Sequence, residues 1–327
     1  MASFRQRNNR WQVRVRRLGF PDQVRTFNLR QDAEKWARSI ESDIDRGQFA
    51  NVTLAQQTTL SDLIQKYLVE VLASQKSFPV ELFRLNALCR RPIAKWSIAN
   101  LTPSRLAEYR DERLNEVGNG TVIRELSYIS AIINHARREW GINVANPVLL
   151  VRKPSTPEGR SRILTESERV RLIEALNPSA RSNVWVKPLV QLALETAMRK
   201  GEILALRWEH IDLVNQTAFL PMTKNGDSRT VPLSSVAIRV LHGLPRSING
   251  VVFPITVANL HARFKRAVKR AGLVDFRFHD LRHTAVTVMA KKLPNIIELS
   301  AVSGHKNLGM LKRYYHPDPK QLAQKLG

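Results

Sequence analysis

The chain has 327 residues, enough for two or three domains at about 150 residues each, and its 43% apolar content supports packed cores and argues against disorder. Lysine and arginine number 52 against 28 acids, a net charge of +24 that favours a polyanionic partner. Cys89 is the only cysteine, which excludes an intramolecular disulfide and a cysteine-based zinc site. The start, Met1-Ala2-Ser3-Phe4-Arg5, predicts no secretory leader, and no run approaches the ~18 apolar residues of a membrane span, so a cytoplasmic protein is expected.

Residues 1–50 read as a small sheet-plus-helix module. Trp11, Val13 and Val15 alternate with Gln12, Arg14 and Arg16, a strand with one apolar and one basic face. A second strand follows at Val24 to Phe27, and Asn28 is the expected cap of a helix with the stripe Ala33, Trp36, Ala37, Ile40 and Ile44, ending at Gly47. Arg14, Arg16 and Arg25 belong to an arginine-rich stretch opposed by one acid, Asp22. Such a face suits either solvent or a DNA groove.

Residues 49–58 read as a linker, and 57–150 as an all-helical region. Its expected helices start at Leu60, near Glu81, at the Thr102-Pro103 cap and at Gly120-Thr121, the last carrying Ile123, Leu126, Ile129, Ile132 and Ile133. Pro147, Pro154, Pro157 and Gly159 mark a second linker. Residues 162–327 form the largest domain: a helix capped by Thr165, another from Val184 into Ala197, and strands at Thr217 to Thr223 and Arg229 to Leu233 around an Asn225-Gly226 turn. A further helix, Asn259 to Ala271, places Arg263, Arg266 and Arg270 near one face, for solubility or for DNA. The fold class is therefore mainly α with small β elements.

Four segments of this last domain set phosphate-seeking residues among apolar neighbours: Thr196 to Glu202, Thr223 to Gly226, His279-Asp280-Leu281-Arg282-His283, and Gly304-His305 followed by Arg313-Tyr314-Tyr315-His316. An arginine embedded like Arg199 is costly to bury without an anion. In this order and spacing the segments resemble the signature of the tyrosine recombinases, the phage integrase family. The likeness covers about residues 163–320, with 57–147 similar to that family's core-site-binding domain and 1–50 to the arm-type DNA-binding module of some integrases.

The resemblance implies a site-specific recombinase that cuts and rejoins DNA through a 3′-phosphotyrosine, as in a phage or mobile-element integrase. It implies Arg199 and Arg282 as the catalytic arginines, Glu202 as an accessory acid, Lys224 as the hairpin lysine, His279 and His305 as the two histidines, and Tyr314 as nucleophile. Tyr314 lies nine residues beyond His305; Tyr315 is one position out of register. His279 is the expected acid–base group, and His283 and His316 are left to structural roles. Two neighbours depart from the family's common pattern: Ala197 where glycine is frequent, and Ser303 where leucine is frequent.

The chemistry suits these groups. Two guanidiniums can grip non-bridging phosphate oxygens, and a phenol of pKa ~10 needs a base and positive surroundings to attack. Since one ester replaces another, neither a nucleotide cofactor nor a metal is expected. Expected partners are double-stranded DNA, three further copies of the chain in a synaptic tetramer, and a DNA-bending or directionality protein. The rival readings are a type IB topoisomerase-like enzyme, and a DNA-binding protein without chemistry.

Overall fold

The computed structural model describes residues 2–20, 22–45, 52–75, 77–142, 144–177, 184–221, 228–315, 323–324 and 326–327. The chain divides into two compact units, Met1–Glu158 and Gly159–Gly327. The described residues are mainly helical with two small antiparallel sheets. Among the described residues, no helix is long and apolar enough to cross a membrane.

The first unit opens with a three-stranded sheet, β1 (Ala2–Arg7), β2 (Arg10–Val15) and β3 (Gln23–Phe27), in that spatial order. Arg7 pairs with Arg10, so Asn8 and Asn9 form the turn between β1 and β2. Both have positive φ (45° and 60°), the geometry that a two-residue hairpin requires and asparagine tolerates. Val13 and Val15 of β2 bury against Ala33, Ala37, Ile40 and Ile44 of α1 (Arg30–Asp45). The period-two reading of β2 thus matches its burial. Asn28 is not the cap of α1: Ala33 N–H bonds the carbonyl of Leu29, and the helix begins at Arg30. β1 was not anticipated, because five of its six residues are exposed and no alternation marks it.

The remainder of this unit is a helical bundle with its own core. α2 (Val52–Gln57) occupies part of the expected linker, and α3 (Leu60–Tyr67) starts at a capping box in which Thr59 and Asp62 exchange hydrogen bonds. A π-helical stretch, Leu68–Leu72, extends α3. Then come α4 (Phe78–Cys89), α5 (Pro103–Glu116), capped by Thr102 with proline in its first turn, and α6 (Asn119–Glu139). α6 buries Val122, Leu126, Ile129, Ile132, Ile133 and Ala136, the spacing of one helical face. Arg113 of α5 is buried and satisfied by Glu125 of α6 at 2.7 Å and Glu116 at 2.5 Å.

The second unit holds α7 (Glu166–Ala175), α8 (Val186–Thr196), α9 (Lys200–Leu204), the sheet β4 (Ile211–Asp212), β5 (Thr217–Leu220) and β6 (Arg229–Pro232), then α10 (Ser235–His242), α11 (Val257–Arg270), α12 (Phe278–Lys292) and α13 (Ile296–Ser303). Thr165 caps α7 through a capping box with Glu168. The core gathers α7, α8, the sheet, α10 and α11, while a smaller cluster of Ala197, Ala285, Val286, Leu299 and Leu311 supports the segment bearing Tyr314 and Tyr315. Lys224 and the Asn225-Gly226 turn lie outside the described residues, as does His316.

Candidate active site

α8 ends at Thr196, and the chain turns through Ala197 in a left-handed conformation (φ 52°). Arg199 then caps α9. Its backbone N–H donates to Glu202 Oε2 at 2.8 Å and its Nη1 to Glu202 Oε1 at 2.9 Å. The three-residue spacing of the Arg-x-Gly-Glu motif is therefore that of a capping box, and it also delivers a counter-ion. Arg229, at the start of β6, approaches the same carboxylate from the other side, with Nη2 2.9 Å from Oε2. Burial pushes the Glu202 carboxyl up, but the Arg199 N–H and the charges of Arg229 and Arg199 outweigh it, and the net shift is downward. Glu202 is ionised and fully engaged by the two arginines.

Arg282 sits on α12 with 4% of its surface exposed. Nη1 donates to the Ala197 carbonyl at 2.5 Å and Nη2 to the Ser303 carbonyl at 2.6 Å. Its hydrogen bonds go to carbonyls and toward His305, and among the described residues none goes to a carboxylate. Burial, and next the charge of Arg199, push its pKa down to about 10. Among the described residues no carboxylate pairs directly with this guanidinium, and Glu202 acts on it only at a distance. Arg199 Nη2 reaches the Gly304 carbonyl at 3.3 Å, so Arg199 and Arg282 hold consecutive carbonyls of the same turn.

Gly304 ends α13 with φ +68°. An added Cβ would run into Arg229 Nη1 and lie 2.7 Å from its Cζ, so a side chain here would strain the backbone and oblige the guanidinium to shift. Beyond it, His305 Nδ1 lies 2.7 Å from Ser303 Oγ, whose hydroxyl donates to the Leu299 carbonyl at 2.6 Å. The Ser303 hydroxyl proton is thus committed to Leu299, leaving a lone pair to face Nδ1, while Arg282 Nη2 lies 3.5 Å from Nδ1 and 3.4 Å from Nε2. Burial and the Arg282 charge push the His305 pKa down to about 4, so the ring is neutral at pH 7. The serine that departs from the family's common leucine thus orients a histidine of the site.

Tyr314 closes the group. Its ring centroid is 6.4 Å from that of His305 and 6.0 Å from that of His283, and Arg313 lies over its ring at 5.1 Å. Burial raises the phenol's pKa, with Arg313 and Arg282 opposing. The Tyr314 hydroxyl bonds His283 Nδ1. Tyr315 turns elsewhere, its hydroxyl 3.4 Å from the Leu293 carbonyl and its ring against the small cluster beneath. His279 is exposed in the first turn of α12, its ring 5.0 Å from that of His283.

Arg199, Glu202, Arg282, His305 and Tyr314 are thus brought together, with His279 beside them through His283. Sequence reasoning missed Arg229 and Ser303, and left His283 to a structural role; the structure sets its Nδ1 against the Tyr314 hydroxyl. Arg229 stood next to the hairpin segment already singled out; nothing in the sequence marks which face of α12 meets residue 314.

The outlying basic residues have mixed fates. Arg14 and Arg16 both bond Asp22, at 2.5 and 2.8 Å, and Arg25 lies over Phe27 at 5.5 Å. Arg270 donates to the Ala175 carbonyl at 2.6 Å, tying α11 to the end of α7, so its guanidinium is partly engaged in packing. Arg263 is half-buried and Arg266 exposed.

A phenol set among buried guanidiniums and neutral imidazoles, on this helical frame, defines the tyrosine recombinase class of enzyme. The chain belongs to the phage integrase family, which matches residues 162–321, and is a tyrosine site-specific recombinase. It is 42% identical over 280 residues to the shufflon-specific DNA recombinase of Escherichia coli, covering 83% of this chain and 72% of that protein. It is 29% identical over 223 residues to the integrase of Salmonella phage P22, covering 62% and 56%. A lambda integrase dimer bound to a COC′ core site has the same fold, with a TM-score of 0.67 at 21% identity over 95% of this chain and 93% of that one.

Proposed function

We propose that Tyr314 is the nucleophile and that Arg199, Arg282 and His305 hold the scissile phosphate. The observation that carries this is the convergence of Arg282, buried against the Ala197 and Ser303 carbonyls, with His305 and the Tyr314 ring. A phosphodiester supplies the missing anion. Each guanidinium then offers further N–H donors to the non-bridging oxygens, whose charge grows as phosphorus becomes five-coordinate. The approaching anion also lets His305 take a proton, so that Nε2–H donates to the same phosphate while Ser303 keeps Nδ1 fixed. His279, exposed at the start of α12, lies where it can donate to phosphate or exchange protons. Glu202 holds Arg199 in place. Lys224 protonates the departing 5′-oxygen, leaving a 3′-phosphotyrosine and a free 5′-hydroxyl that a second duplex can use for resealing.

Around this chemistry we place double-stranded DNA, held by the helical bundle and the catalytic unit, with Arg14, Arg16 and Arg25 of the terminal sheet reading arm sites and Arg263 and Arg266 adding phosphate contacts. The working assembly is a tetramer on two duplexes, aided by a DNA-bending or directionality protein, on the DNA of a bacterial cytoplasm. The dimers and tetramers of lambda integrase on DNA support this arrangement.

The test is covalent trapping on nicked DNA bearing the site that the protein selects from random sequence. Wild type leaves a protein–DNA adduct after denaturation, Tyr314→Phe leaves none, and Tyr315→Phe still does. Loss of the adduct in Tyr315→Phe alone refutes the assignment.

A further inference from the structure

His283 stands directly after the catalytic arginine, and its ring lies 6.0 Å from that of Tyr314, against 6.4 Å for His305. Its Nδ1 faces the Tyr314 hydroxyl at hydrogen-bond range. A second group reaches the same nitrogen, Arg313 Nη2 at 3.4 Å. A guanidinium has no lone pair to offer and can only donate. An unprotonated Nδ1, with the ring proton on Nε2, serves both contacts, accepting from the phenol and from Arg313. Nucleophile and acceptor are already aligned before any substrate arrives, which is the geometric requirement of a general base.

Resting on the assignment of Tyr314 as nucleophile, we propose that His283 takes the phenolic proton as the phosphotyrosine bond forms. The Tyr314 Oη–P bond forms while the P–O5′ bond breaks. The phenolic proton passes to His283 Nδ1, giving an imidazolium, and the 5′-oxygen leaves with a separate proton from Lys224. On resealing, the 5′-hydroxyl returns its proton to the Lys224 amine as it attacks, and His283 returns its own to the departing phenolate.

The charges around the ring show how the base is tuned. His279, Asp280 and Arg282 face it from its own helix, and Arg313 and Tyr314 from the segment opposite. Burial, and next His279 and Arg313, push the His283 pKa down to about 4 in the DNA-free protein, which keeps Nδ1 open. A bound phosphodiester places negative charge beside those cations and raises the imidazole's basicity when it is needed. His279 is exposed in the first turn of α12, with its ring 5.0 Å from that of His283.

The experiment is single-turnover cleavage by the full chain, on the selected nicked duplex made with either an ordinary 5′-oxygen or a bridging 5′-sulfur at the scissile position. Sulfur leaves without protonation, so it relieves the need for an acid but not for a base. His283→Ala and His283→Asn are expected to cleave about 100-fold or more slowly than wild type with DNA affinity retained. Asn offers a hydrogen-bond acceptor near the place of Nδ1 but cannot accept the proton, and it serves as the test if the alanine variant fails to fold. The sulfur substrate should rescue Lys224→Ala and neither His283 variant. The His283→Asn rate should climb with pH where wild type has levelled off. Cleavage by His283→Asn within about threefold of wild type, or sulfur rescue of both His283 variants, overturns the proposal. Failure of wild type to form any adduct overturns the Tyr314 assignment instead.

Discussion

Replacing Gly304 by alanine tests whether the cationic pocket is as tightly keyed as its geometry indicates. At φ +68° an L-residue loses about 1–2 kcal/mol from the left-handed backbone alone. The new methyl must also displace the Arg229 guanidinium, whose Nη1 and Nη2 lie 3.3 and 2.9 Å from Glu202. Losing one partner of a buried ion pair costs about 3–5 kcal/mol, so the total expected is about 4–7 kcal/mol. Gly272 supplies an internal control: φ is +65° but nothing lies within 4 Å of its Cβ position, so Gly272→Ala should cost only about 1–2 kcal/mol. Hydrogen exchange of α12 and α13 peptides, followed by mass spectrometry on the full chain, reads the local opening free energy of each variant. If Gly304→Ala falls within about 1 kcal/mol of Gly272→Ala, Arg229 moves aside freely and the ion-pair reasoning is wrong.

Glu202→Gln should destabilise the second unit by about 3 kcal/mol, because Arg199 and Arg229 lose their shared counter-ion. Glu202 has a depressed folded pKa, so its contribution is complete above the usual carboxylate range and fades as pH falls through the folded value; urea unfolding between pH 3 and 7 should show a flatter acid limb in the variant. Arg282→Lys should slow cleavage about 100- to 1000-fold at unchanged DNA affinity, since an ammonium cannot span two carbonyls and a phosphate together; adduct formation in single-turnover kinetics reads it. Asp22→Asn should release Arg14 and Arg16, raising affinity for random duplex and steepening the salt slope of log K by up to about 2, measured by anisotropy across a salt series. An unchanged slope would mean that these arginines do not meet phosphate.

The parts of this molecule legible in its sequence are those governed by local rules. Alternating burial marked β2, helical spacing marked α6, and Thr102 and Thr165 marked their helices because a cap acts over three residues. β1 escaped because an edge strand exposed on both sides has no pattern, and α2 because a single turn-and-a-half of helix looks like a polar connector. Arg199, Glu202, Arg282, His305 and Tyr314 were readable through their order and spacing, which a tertiary requirement imposes on the chain. Arg229, Ser303 and His283 were not, since their roles depend on what lies across the pocket: a carboxylate on α9, a ring two residues on, and a phenol 31 positions away.

The left-handed turn at Ala197 has a consequence for anyone redesigning this enzyme. Its carbonyl is the anchor of Arg282, and Thr196 ties the turn to α8 through the Leu192 carbonyl at 2.7 Å and the Met198 N–H at 3.3 Å. The cation is therefore held by main-chain oxygens that exist only in this contorted path, not by a carboxylate that could travel with it. Copying the reactive side chains into another scaffold would leave the arginine without a seat; a workable transplant has to carry residues 196–199 and 303–304 as a backbone template before any of the chemistry is installed.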